Sequence, residues 1–190
     1  MSTVTRERLW TGPQGPVVAG VFATAFLFAF EAYAIATALP LVAQDLDGLP
    51  LVGVSFAVLL AASVVTMTVS APWCDREGPT VPLLTGVAGF VLGLVISGTA
   101  STMELFVVGR AVQGLGSGLT TVALYVLVGQ VFSQEVRPRV FVVLTSAWVL
   151  PALVGPPVAG WVAEVADWQW AVLGAIVPAV LAAALLTPAL

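Results

Sequence analysis

The sequence predicts an all-α membrane protein of six transmembrane helices, and three observations carry that prediction. Hydrophobic residues make up 59% of the 190-residue chain and charged residues only 8%, with a mean hydropathy of +1.07. A soluble domain is about 45–50% apolar and about a quarter charged, and a surface with so few charges cannot be covered against water. The apolar residues fall into six stretches, each near the ~20 residues a spanning helix needs, with polar and turn-forming residues between them. The alternating ~10-residue segments of a barrel are absent, and an apolar stretch in lipid satisfies its backbone as a helix.

Taken in order, residues 1–16 form a polar N-terminal segment with Arg6 and Arg8, and residues 17–190 form the bundle. The first helix, near 17–42, is too long for the apolar region of a signal peptide. No small-residue cleavage site follows it directly, so it reads as a retained span. The second, near 51–73, ends at Trp73-Cys74-Asp75-Arg76-Glu77-Gly78-Pro79, where Gly78-Pro79 stops one helix and starts the next. The third, fourth, fifth and sixth are expected near 81–100, 104–132, 139–164 and 169–187.

Arginine sets the orientation. Arg6, Arg8, Arg76, Arg137 and Arg139 all fall in the N-terminal segment or at the turns after helices two and four. The turns after helices one, three and five hold Asp45, Asp47, Glu104 and Asp167 and no basic residue. By the positive-inside rule both termini are expected in the cytoplasm.

The same composition narrows the chemistry. The chain has no histidine and no lysine, and Cys74 is its one cysteine, so His-based dyads, His or Cys metal sites and an intrachain disulfide are excluded. No cofactor is expected, and a dispersed net charge of −4 gives no reason to expect a nucleic-acid partner.

Two charged residues lie inside apolar stretches. Glu31 sits mid-way along helix one, where a charge costs about 2.5–3.5 kcal/mol to insert and so should face protein or a water-filled cavity. It reads either as a protonated packing residue or as a proton or cation site. Arg110 shares one face of helix four with Gln113, Ser117 and Thr121, at spacings of three and four. Arg110 reads either as snorkelling to the headgroups or as a cavity residue. Counted along oppositely directed helices, Glu31 and Arg110 differ in depth by roughly 7 Å at ~1.5 Å per residue, within reach of an arginine side chain. They can pair if helices one and four are neighbours. Gly114-x-x-x-Gly118 reads as close helix packing. Helix five carries Ala147, Pro151, Gly155 and Ala159 as a small-residue ridge, with Pro156 and Pro157 beside it, which suits both packing and a hinge.

These pieces, in this order, resemble the N-terminal half of a major facilitator superfamily transporter, and are most similar to the drug–proton antiporters. Residues 31–40 resemble the first-helix motif in which an acid precedes Ala-Leu-Pro. Asp75-Arg76-x-Gly78 resembles the turn between helices two and three, and Arg110-x-x-Gln113-Gly114-x-Gly116 the fourth-helix motif. Gly155-Pro156-x-x-Ala159-Gly160 resembles the fifth-helix antiporter motif, and Trp168-Gln169-Trp170 the aromatic pair before helix six. Ala36, Ala71 and Pro151 depart from the usual residues, and no basic pair follows Gly78.

The resemblance implies roles. Glu31, Arg110, Gln113, Ser117 and Thr121 would handle protons and substrate. Asp75, Arg76 and Gly78 would form a cytoplasmic gate, and Gly155, Pro156, Ala159 and Gly160 would mark an exporter. The expected activity is proton-coupled export of small amphipathic or cationic compounds across the plasma membrane, the inner membrane of a bacterium, driven by the proton gradient. Substrate would bind between two six-helix halves, so a second half or a homodimer is implied. A non-transporting fragment or assembly partner is the alternative. An intramembrane serine protease built on Ser117 fails for want of a histidine and because Leu115 stands where its motif needs glycine.

Overall fold

The computed structural model describes residues 14–165 and 167–187. Arg6, Arg8 and the side chain of Ala159 lie outside the described residues. The elements, in order, are α1 (Gly15–Asp45), a 3-10 turn (Leu49–Leu51), α2 (Val52–Glu77), α3 (Thr80–Gly98), α4 (Met103–Val131), α5 (Arg137–Val165), α6 (Trp168–Leu173) and α7 (Ile176–Ala184). Among the described residues, five helices are long and apolar enough to cross a membrane, and Trp168–Ala184 is a shorter apolar helical stretch.

Two boundaries differ from the sequence expectation, each for a local reason. The sixth span, expected as one helix near 169–187, is broken at Gly174-Ala175 into α6 and α7. Pro178 has no N–H to give the carbonyl of Gly174, and it is tolerated because it falls in the first turn of α7. The second span runs on to Glu77, so Asp75 and Arg76 occupy the last helical turn rather than a loop. The reversal is compressed into Gly78-Pro79. Gly78 has φ 78°, a backbone conformation that side-chain-bearing residues rarely adopt.

The bundle is organised around α4, which packs against α3 on one side and α2 on the other, while α1 packs mainly against α5. Small residues make the α4 contacts possible. A side chain at Gly116 would meet the Phe90 amide and the Gly86 carbonyl of α3, and one at Gly118 would meet the Ser63 carbonyl of α2. Ser70 of α2 also donates to the Leu119 carbonyl of α4 at 3.0 Å. At its start, α4 is capped by Thr102, whose hydroxyl accepts from the Leu105 amide at 3.3 Å.

Helix α2 is inside-out by the standard of a soluble protein. Its buried residues are Ser55, Ser63, Ser70 and Cys74, while Leu60, Val64 and Val65 are about 60% exposed or more. That arrangement suits a helix whose outer face meets hydrocarbon and whose serine hydroxyls are sheltered inside. Two apolar clusters line the interior, one centred on residues 17–25 of α1 and one on residues 27–42.

Candidate functional site

Glu31 is 2% exposed at the middle of α1, and Arg110 is 1% exposed two turns into α4. They meet. Arg110 Nη1 donates to Glu31 Oε1 at 2.7 Å. Gln113, one turn further along α4, donates from Nε2 to the same Glu31 oxygen at 3.0 Å and accepts from Arg110 Nη1 at 3.2 Å. The three side chains close a buried triangle between α1 and α4, so the pairing allowed by depth alone is realised. Removal from water is offset here by an opposite charge and a shared amide.

A residue of α3 completes the cluster. The Ser97 hydroxyl donates to its own helix at the Gly93 carbonyl, 2.8 Å away, and lies 3.4 Å from Gln113 Oε1. Sequence reading passed over Ser97, because most serines in these helices also bond the turn before them. What distinguishes it is its position opposite Gln113, which only the α3–α4 packing reveals. Arg110 Nε is buried without a partner among the described residues.

Beside the triangle lies a cavity of about 190 Å³, lined by Glu31 with Phe28, Ser63, Met67, Ser117, Thr121 and Trp148 among others. Its hydroxyl hydrogens are already engaged. Ser63 donates to the Leu60 carbonyl, Ser117 to that of Gly114 and Thr121 to that of Ser117, at 2.8, 3.0 and 2.7 Å. The oxygens keep their lone pairs. Among the described residues, Glu31 Oε2 makes no hydrogen bond. The cavity therefore presents acceptors and aromatic faces, and no spare hydroxyl donor from these three residues.

Ser117 and Thr121 thus join Glu31 through the cavity, while Arg110 and Gln113 join it directly. The residues expected to form a gate are not part of this assembly. Asp75 and Arg76 are exposed at the end of α2 and form no ion pair among the described residues. Of the residues expected to form the antiporter motif, Gly155 packs on α1, whereas a side chain at Gly160 would meet nothing within 4 Å. Pro151 and Gly155 are buried, Pro156 and Gly160 are half-buried, and a side chain at Gly155 would press on Tyr33 at 3.1 Å. The ridge of α5 therefore lies along the stretch of α1 that carries Glu31. At the Asp45 end of α1, Trp168 Nε1 donates to Asp45 Oδ2 at 2.9 Å and packs edge-on to Phe106.

Comparison with known proteins is consistent over most of the chain. The family described as Major Facilitator Superfamily matches residues 21–190. The multidrug transporter protein MdtP of Bacillus subtilis is 23% identical over 154 residues, covering 81% of this chain and 28% of that protein. The multidrug efflux pump SdrM of Staphylococcus aureus is 25% identical over 145 residues, covering 76% and 32%. A major-facilitator-type transporter of Mycobacterium tuberculosis is 31% identical over 163 residues, covering 82% and 23%. The chain thus spans between about a quarter and a third of the length of these relatives. Among solved structures, the proton:xylose symporter XylE superposes with a TM-score of 0.80 at 16% identity, covering 90% of this chain and 44% of that one. The relatives and the structural neighbour are transporters, not enzymes.

Proposed function

This chain belongs to the major facilitator superfamily, and from that premise we propose that it is the proton-handling half of an exporter of small amphipathic or cationic compounds. The observation that carries the reading is the buried Glu31–Arg110–Gln113 triangle opening on an acceptor-lined cavity. A carboxyl beside both a cation and a water-accessible space can exchange its proton as access changes. Protonation of Glu31 removes the negative partner of Arg110 and leaves the site with a net positive charge. A bound cation is then repelled, which makes proton and cation alternate occupants. Acceptor oxygens with Phe28 and Trp148 as apolar walls suit a solute with an apolar body and a cationic or hydrogen-donating end.

In this reading Glu31 takes the proton, Arg110 and Gln113 hold it in register, and Ser117 and Thr121 line the substrate path. Asp75, Arg76 and Gly78 act at the cytoplasmic end as a gate toward a second six-helix half or a second copy. Gly155 lets α5 slide on α1, and Pro156, Ala159 and Gly160 complete the motif that marks an exporter. Both termini face the cytoplasm, and the membrane is the bacterial plasma membrane. Protons are the energy source, with no bound cofactor and no nucleic-acid partner. Export as the direction draws support from relatives named as multidrug transporters, and the half-and-half architecture with rocking access is the family's physical scheme.

The test is efflux of a preloaded fluorescent cation from cells expressing the intact protein. A protonophore should collapse efflux, and Glu31→Gln should abolish it. Efflux that survives the protonophore would reject proton coupling.

A further inference from the structure

Two cavities lie end to end along α4. The larger is the one at Glu31. The smaller, about 10 Å³ or roughly the space of one water, is lined by Ala25, Leu124, Tyr125 and Leu144. Three residues belong to the walls of both: Phe28 of α1, Thr121 of α4 and Trp148 of α5. They form the partition between the two spaces.

The three are not equally fixed. Phe28 is 6% exposed and stacks on Phe90 with ring centroids 4.1 Å apart. Thr121 is small and tied to the Ser117 carbonyl. Trp148 is 41% exposed, and its ring N–H donates to nothing among the described residues. Its helix packs closely on α1 and meets α4 through longer side chains, as where Phe141 stacks on Tyr125 with ring centroids 5.8 Å apart, so the indole stands in the space between the two helices.

We propose that Trp148 is the specificity-determining partition of the Glu31 cavity: its indole limits the size of solute that can sit beside Glu31, and displacing it joins the two cavities into one cleft. This rests on the reading that the Glu31 cavity takes the substrate, and the experiment separates the two claims.

Binding of tetraethylammonium and of the bulkier tetraphenylphosphonium is measured on the intact purified protein in lipid nanodiscs, for wild type, Trp148→Ala, Trp148→Phe and Glu31→Gln. Trp148→Ala should raise the affinity for tetraphenylphosphonium relative to tetraethylammonium by about tenfold, the scale on which pocket volume discriminates. Trp148→Phe should fall between. An unchanged ratio in both tryptophan variants, with Glu31→Gln still abolishing binding, overturns the partition and leaves the cavity reading standing. Binding of both probes that is indifferent to Glu31→Gln overturns the cavity reading and the partition with it. If Trp148→Ala loses both probes through misfolding, the Trp148→Phe ratio decides: a shift supports the proposal and no shift ends it.

Discussion

The chain holds two acid–arginine sets that behave in opposite ways. Glu31 and Arg110 are 79 residues apart in sequence, yet they meet at 2.7 Å in the interior. Asp75 and Arg76 are neighbours in sequence, yet both stand exposed and without an ion-pair partner among the described residues. The difference is one of solvent. Charges inside the hydrocarbon must find each other within the protein, so tertiary packing dictates their partners. Charges at the end of a helix are solvated where they stand, and nothing in this half of the fold compels them to pair.

The largest expected effect comes from breaking the interior set. Arg110→Met leaves Glu31 buried without its counter-charge and should cost about 3–5 kcal/mol of stability, read as denaturant unfolding in detergent. Adding Glu31→Gln to it should recover part of that loss, because the uncompensated charge is gone. Strictly additive costs would mean that the pair is not coupled. Ser97→Ala probes the rim of the triangle and should cost about 0.5–1.5 kcal/mol, since the Gly93 carbonyl loses a donor and Gln113 a neighbour. The smallest effect belongs to the exposed set. Asp75→Asn and Arg76→Gln should each stay within about 0.5 kcal/mol of wild type in unfolding, while in the intact protein Asp75→Asn should slow transport if the gate reading holds. A loss of stability as large as that of Arg110→Met would erase the contrast between the two sets.

Much of this contrast was legible in the sequence, and the misses have physical causes. Glu31 and Arg110 stood out because charge is rare in an apolar stretch, and an arginine side chain could cover most of the roughly 7 Å between their depths. The glycines of α4 were readable as packing residues, although which faces α2 and which α3 was not. Ser97 and Trp148 were invisible for a different reason. A serine can satisfy itself on its own helix, and a tryptophan in an apolar helix carries no mark of which side it faces. The sixth span lies where the sequence expects it, and only its interruption at Gly174-Ala175 went unread. Hydropathy counts Pro178 among neighbours that are all apolar and cannot register the N–H it lacks. The reach of α2 to Glu77 was hidden because charged residues normally signal a loop, whereas here they ride the last helical turn.

The hydrogen bond from Trp168 to Asp45 has a consequence for the order in which the bundle is built. It joins residues 123 apart in sequence, whereas the Glu31–Arg110 pair joins residues 79 apart. The pair can close once four spans are present. The tether needs the start of the sixth. Because contacts between distant residues cost more loop entropy and tend to form late, the polar centre is expected to close before α6 is in place, and the closing of the Trp168 indole onto Asp45 reports that α6 has reached the end of α1.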